Sequence, residues 1–226
     1  MICSIWLLAG GCAAEAERLD ARTEDELRVT LPEPVRDGSV SIERTLARRR
    51  SVRSYADTPL TLKQLSQLLW AAQGISEPRR GLRTAPSAGA TYPLEIWLVV
   101  GRAEGLAPGV YRYRPVEHDL VRALEGDVRA DLARVALGQG FVAEAPVSVV
   151  FTAVYERTAH RYGARAERYV PMEAGHAAQN LSLQAVALDL GTVIVGAFRD
   201  GQVATVLGLP DSEKPLYIVP VGQAAP

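Results

Sequence analysis

The stretch "MEAGHAAQNLSLQAVALDLG", residues 172–191, constrains this chain more than any other. It reads as one long helix whose second half is apolar on nearly every face. A helix without a polar face cannot lie on a solvated surface, so it belongs inside the protein or inside an interface. A second helix is written in "PLTLKQLSQLLWAAQG". Thr61 and Gln64 form a capping box, Leu62, Leu65, Leu68, Leu69 and Ala72 make a buried stripe, and Gly74 suits the C-cap. "SVSIERTLARRR" predicts a third, capped by Ser39 or Ser41, with Ile42 and Leu46 on one face. "GDVRADLARVALG" (126–138) predicts a fourth with Asp127 as its cap, and a short helix is expected near 200–208. Strands are expected at "LEIWLVV" (94–100, buried), "GVYRYRP" (109–115, half-exposed), "PVSVVFTAVY" (146–155), "TVIVGAF" (192–198) and "PLYIVPVG" (215–222). Helices and strands mix without strict βαβ alternation, which favours an α+β domain.

The chain has 226 residues, enough for one sizeable core. Lys plus Arg is 25 and Asp plus Glu is 26, so no global field points to nucleic acid. Cys3 and Cys12 are the only cysteines, so the folded body has neither disulfides nor Cys-ligated zinc. His118, His160 and His176 have no metal-ligand spacing. Residues 1–18 read as an export-signal-like segment: "LAGGC" loosely resembles a lipoprotein cleavage site, with Cys12 the lipidated residue. A frayed apolar tail is the alternative, and the compartment is open between cell envelope and cytoplasm. Residues 19–38 are polar and Pro-containing, a linker or a strap on the surface, and 39–226 form the main domain.

Within this near-neutral chain, "RRRSVR" concentrates positive charge. Arg49, Ser51 and Arg53 alternate, so an extended backbone puts all three on one side, as suits a phosphate group. Arginines at a helix end, favoured by the dipole, are the equal alternative. Small residues from Ser87 to Thr91 lead into a strand and allow close approach of a flat ligand. Gly196 follows a β-branched run and could present a bare N–H. Each of these is also an ordinary turn or strand-end glycine. No G-x-G-x-x-G, P-loop or G-x-S-x-G is present.

Taken in order, RRSVR, PSAGATYPLE, GHAAQNLSLQA, GTVIVGAF and VPVG resemble the FMN-dependent nitroreductases, and more closely their SagB-type branch, which includes thiazoline/oxazoline dehydrogenases of peptide natural-product pathways. The resemblance implies a three-layer fold, a mostly antiparallel sheet flanked by helices, in an interlocked homodimer with FMN at the interface. It implies that Arg49, Arg50, Ser51 and Arg53 hold the FMN phosphate and ribityl chain. Pro86, Ser87, Ala88 and Gly89 would touch the isoalloxazine from the partner subunit, and Gly196 with Val195 would meet its N5. It further implies ping-pong hydride transfer from NAD(P)H to a small nitro- or quinone-like substrate, with azoline oxidation on a peptide and flavin holding without turnover as alternatives. The azoline dehydrogenases carry a Lys-Tyr pair where this chain has Arg161-Tyr162. An arginine is never a neutral base near pH 7, which leaves Tyr162 as the candidate catalytic residue. Its alternative is a half-buried aromatic with a satisfied hydroxyl.

Overall fold

The computed structural model describes residues 27–226. The signal-like segment with Cys3 and Cys12 lies outside the described residues, as does the first part of the 19–38 strap.

A seven-stranded sheet forms the middle layer. Its strands are β1 (Arg28–Thr30), β4 (Leu94–Val100), β5 (Gly109–Arg114), β6 (Asp119–Glu125), β7 (Val147–Ala153), β8 (Gly191–Thr192) and β9 (Lys214–Gly222). Their order is β1-β6-β5-β4-β7-β9-β8, and every neighbouring pair is antiparallel. A separate hairpin joins β2 (Ile75–Glu77) to β3 (Leu82–Arg83). Strand β4 is central, running from Leu94 opposite Ala153 to Val100 opposite Val147. All seven of its residues are buried because both faces are covered.

Alternation sorts the two cores. Leu94, Ile96, Leu98 and Val100 face one layer with Val149, Phe151 and Val219, while Trp97 and Val99 face the other with Val150 and Ile218. Over the first face lie α2 (Leu62–Gln73) and α6 (Ala166–Ala187); over the second lie α3 (Arg129–Val135), α4 (Phe141–Glu144) and α7 (Asp200–Leu207). This is the expected three-layer α+β architecture. Among the described residues no helix is long and apolar enough to cross a membrane, and no cluster of acidic, His or Cys residues could hold a metal.

The long helix is α6. It begins at Ala166, six residues before the expected start, and carries Pro171 within its first turns. Its buried stripe is largely alanine (Ala166, Ala174, Ala177, Ala178, Ala185), which lets it lie close against the sheet and α2. The opposite face is mixed and only partly covered: Met172 is 54% exposed, His176 is exposed, and Gln179, Leu183, Val186 and Ala187 are half-buried. Beside it runs α1 (Ile42–Arg48), capped by Ser41, whose Oγ accepts from the Arg44 N–H. Ile42 and Leu46 share a face as expected, but that face is open, each residue 54% exposed.

Two expectations are corrected. "TVIVGAF" is not a continuous strand: β8 ends at Thr192, and only Val195 rejoins β9, opposite Ile218. Asp127 does not cap α3, whose N-cap is Val128; its carboxylate is instead gripped by the Arg129 backbone N–H and guanidinium. Strand β6 and helix α5 (Tyr155–Tyr162) were not foreseen. The described part of the strap is tied to the body. Strand β1 pairs with β6, Leu31 is buried, and the Pro32 carbonyl accepts from Ser66 Oγ.

Candidate functional site

Two arms carry the residues singled out above. The first begins where α1 ends. Arg49 leaves the helix with ψ of 122°, and the chain then runs extended. Ser51 forms a parallel bridge with Thr192, and the Val52 N–H donates to the Thr192 carbonyl at 2.9 Å. This approach needs a glycine at 191, because a Cβ there would fall 2.6 Å from Val52 Cγ2. On the other side, the Ala56 N–H donates to the Gln223 carbonyl and the Ala225 N–H to the Ser54 carbonyl, at 2.9 and 3.0 Å. The buried Tyr55 hydroxyl donates to the Val52 carbonyl at 2.8 Å, and burial pushes its pKa up. The arm is thus fixed through its backbone and the buried Tyr55 hydroxyl, and the side chains of Arg49, Ser51 and Arg53 take no part in holding it.

Those side chains separate into two sets. Val52 turns inward while Ser51 and Arg53 are exposed, and Arg49 is half-buried. Among the described residues neither Arg49 nor Arg53 has a carboxylate within ion-pair distance; Arg53 lies 5.9 Å from the Phe141 ring. Arg50 does not join them. Its Nη1 folds back onto the carbonyls of Ala47 (3.0 Å) and Arg49 (2.8 Å). With Arg48 it lines a cavity of about 160 Å³ that also holds Asp189, which pairs with Arg48 at 3.7 Å. A carboxylate in that cavity makes it a poor phosphate site.

Beyond Thr192 the chain reaches Val195, which exchanges both backbone hydrogen bonds with Ile218 at 2.9 and 3.0 Å. In an antiparallel ladder the next residue points the other way. The Gly196 N–H therefore faces away from β9, is exposed, and has no protein acceptor among the described residues.

The second arm is the loop before β4. Gly89 (φ 59°), Ala90 (φ 54°) and Tyr92 (φ 44°) all take the left-handed region, which only glycine adopts without strain. Side chains hold it there. The Tyr92 N–H donates to Ser87 Oγ, and Thr91 Oγ1 meets Thr158 Oγ1 on α5, each at 2.9 Å. The Ala88 N–H donates to Glu173 Oε1 at 2.8 Å, and Arg161 Nη1 donates to the Gly89 carbonyl at 3.3 Å. A Cβ on Gly89 would lie 2.6 Å from Tyr162 Oη and 2.9 Å from Arg161 Cδ, so this residue is glycine for space as well as for conformation. Pro86 and Gly89 are exposed, Ser87 and Ala88 half-buried. The structure thus brings Tyr162 to the 86–89 loop, in edge contact with Tyr169 and with the Arg161 guanidinium near its face.

Glu173 was missed. It is 5% exposed, and burial holds its carboxyl above the usual range against the lowering effect of the Ala88 N–H and Ser87. Its signal was an acid on the buried stripe of a helix, which demands a partner.

No hydrogen bond among the described residues joins the two arms. Glu173, which touches the second, and Val186, which lines the Arg50 cavity, are thirteen positions apart on α6. That separation is about 20 Å at 1.5 Å per residue.

The family model described as "Nitroreductase family" matches residues 46–223, nearly the whole described body. The "putative nitroreductase" MJ1384 of Methanocaldococcus jannaschii is 47% identical over 199 residues, 88% of this chain and 98% of that one. A crystal structure given the same name, from Ralstonia eutropha, superposes with a TM-score of 0.79 at 34% identity, covering 88% of this chain and 90% of that one. The microcin B17-processing protein McbC of Escherichia coli, a SagB-type relative, is 26% identical over 155 residues, 66% of this chain and 57% of McbC. With the model spanning both arms and the sheet between them, this chain belongs to the nitroreductase family.

Proposed function

We propose that the protein is an FMN-dependent oxidoreductase working as a homodimer, taking hydride from NAD(P)H and passing it, in a ping-pong sequence, to a small nitro- or quinone-like acceptor. The observation that carries this reading is the Gly196 N–H, without a protein acceptor among the described residues, on the stretch whose Thr192 pairs with Ser51 and Val52, between Arg49 and Arg53. Two guanidinium groups and a hydroxyl, with no acid among them, fit a phosphate; Arg50, folded back beside Asp189, does not belong to that set.

Bound FMN would supply two-electron chemistry, accepting a hydride and giving it up. The chain's own residues would bind and orient it. Arg49, Ser51 and Arg53 would hold the phosphate end. Gly196, fixed because Val195 is locked to Ile218, would offer its N–H to N5 of the ring. The Pro86–Gly89 loop, small and locally rigid, would cover the ring face, with the Tyr162 hydroxyl beside it. For a nitro acceptor the balance is one hydride and one proton in, a nitroso compound and water out.

Two observations support the dimer. Ile42, Leu46 and, further along α6, Met172 are more than half exposed, and Ile42 lines a groove with half-buried Leu183. Burying such side chains is worth about 1.5–3 kcal/mol each. The arms also lie at opposite ends of α6, so a second copy packed on this face would set its loop against the first copy's arginines.

The relation to McbC supports a second reading, azoline oxidation on a peptide. Arg161 stands against it, because a guanidinium held on the Gly89 carbonyl cannot serve as a base.

The test is the absorption spectrum and molar mass of the purified protein. A yellow dimer carrying one FMN per chain, bleached by NAD(P)H and recoloured by a nitroarene, is expected. A colourless monomer that takes up no FMN contradicts the proposal.

A further inference from the structure

We infer that Arg161 is a substrate-binding residue that selects acceptors bearing a carboxylate. The inference rests on the flavin-bearing dimer proposed above and names the substrate class of that site.

The two arginines of α5 differ in what they are committed to. Arg157 is spent within the protein: its guanidinium pairs with Glu95 and donates to the Tyr92 carbonyl. Glu95 is shared with Arg112, so that carboxylate is fully engaged. Arg161, one turn later, is exposed and has no carboxylate within ion-pair distance among the described residues. It is nevertheless held in place. Its stem lies against the bare Cα of Gly89, its Nη1 donates to the Gly89 carbonyl, and its guanidinium sits 5.7 Å from the Tyr162 ring centroid. One of five N–H donors is used inside the chain, so the rest of the fork is open. The acid nearest the loop, Glu173, is buried and occupied by the Ala88 N–H, so it does not neutralise this charge.

A positioned guanidinium fork with open donors matches a planar carboxylate by paired charge-assisted hydrogen bonds. Its anchor is the loop assigned to the flavin face. A small oxidised molecule lying on that face would therefore meet Arg161 at its edge, and an anionic group there would be selected over a neutral amide of the same shape.

The experiment compares 4-nitrobenzoate with 4-nitrobenzamide on the full-length protein and on the R161Q and R161K variants. Binding is read from the ligands' own proton NMR line widths, which needs neither flavin colour nor turnover; KM is read separately with NADPH. The native protein should bind the acid more tightly than the amide. R161Q should weaken the acid about tenfold or more and the amide less than about twofold, with FMN content unchanged. R161K, a charge without the fork, should fall between. Equal weakening of both ligands would make Arg161 only a support for the loop. Loss of FMN in R161Q would make it a cofactor contact. A native protein indifferent to the acid would refute the selectivity outright. Absence of turnover with intact, Arg161-dependent acid binding would reject the reductase reading and leave the site standing.

Discussion

The two arms are built by different means. Residues 51–56 are held by main-chain hydrogen bonds, to Thr192 on one side and to 223–225 on the other, so their shape does not depend on what Arg49, Ser51 or Arg53 carry. The 86–92 loop has three left-handed residues in four positions and is kept there by the side chains of Ser87, Thr158 and Glu173, while Arg161 adds only one longer contact at 3.3 Å. A backbone-held arm can devote its side chains to a ligand. A side-chain-held arm cannot lose one without changing shape. Substitutions in the first should change binding and leave stability alone, while those in the second should change both.

The largest effect is expected from R49A combined with R53A. Each charge-assisted contact is worth about 1.5–3 kcal/mol, so FMN affinity should fall about a hundredfold or more. The urea midpoint should stay within experimental error. R50A, whose side chain serves only neighbouring carbonyls, should change FMN affinity by about twofold or less. A large loss from R50A would mean that the segment turns when ligand binds.

G89A comes next. A left-handed backbone and the close approach of Tyr162 Oη together should cost about 1–3 kcal/mol in chemical denaturation, with FMN retention falling as well. S51A, in the other arm, should stay within about 0.5 kcal/mol. Equal destabilisation by the two would erase the distinction.

The smallest effect is a pH dependence at Glu173. Burial raises its folded-state pKa above the ordinary 4.5, so the folded protein favours the protonated form. The stability this confers is fully present below the unfolded value and is lost as pH rises through the folded one. E173Q, which keeps an acceptor for the Ala88 N–H without a charge, should gain on the native protein as pH is raised from 4.5 and then level off. Denaturant midpoints across that range give the answer; a constant difference would show that ionisation at Glu173 is not linked to folding.

The first arm was largely legible in the sequence because its information is local. Alternation anticipated Ser51 and Arg53 outside, though Arg49, expected with them, is half-buried, and the end of a β-branched run anticipated that Gly196 leaves the ladder. That Arg50 folds back onto the carbonyls of Ala47 and Arg49 leaves no trace in residue type. The second arm was legible only as a run of small residues. What fixes it comes from α5 and α6, 67 to 85 positions away, and no local pattern encodes that contact. The fold shows the same division. The capped, leucine-striped α2 and the apolar β4 were plain, whereas β6 carries Arg and Glu on an open face and α5 has few apolar residues. "TVIVGAF" has the composition of a strand, but pairing is a tertiary event, and β9 is met only at Thr192 and Val195.

The central claim, that each flavin site joins one chain's arginine arm to the other chain's loop, is most directly tested by a mixed dimer. One chain carries R49A and R53A, the other G89V, and the two are isolated together through different tags. If the arms act between chains, the loop of the first chain and the arginines of the second complete one site. The mixed dimer should then bind one FMN while either parent dimer binds none. If both arms of a site come from the same chain, every site in the mixture is damaged, and a mixed dimer without flavin would contradict the account.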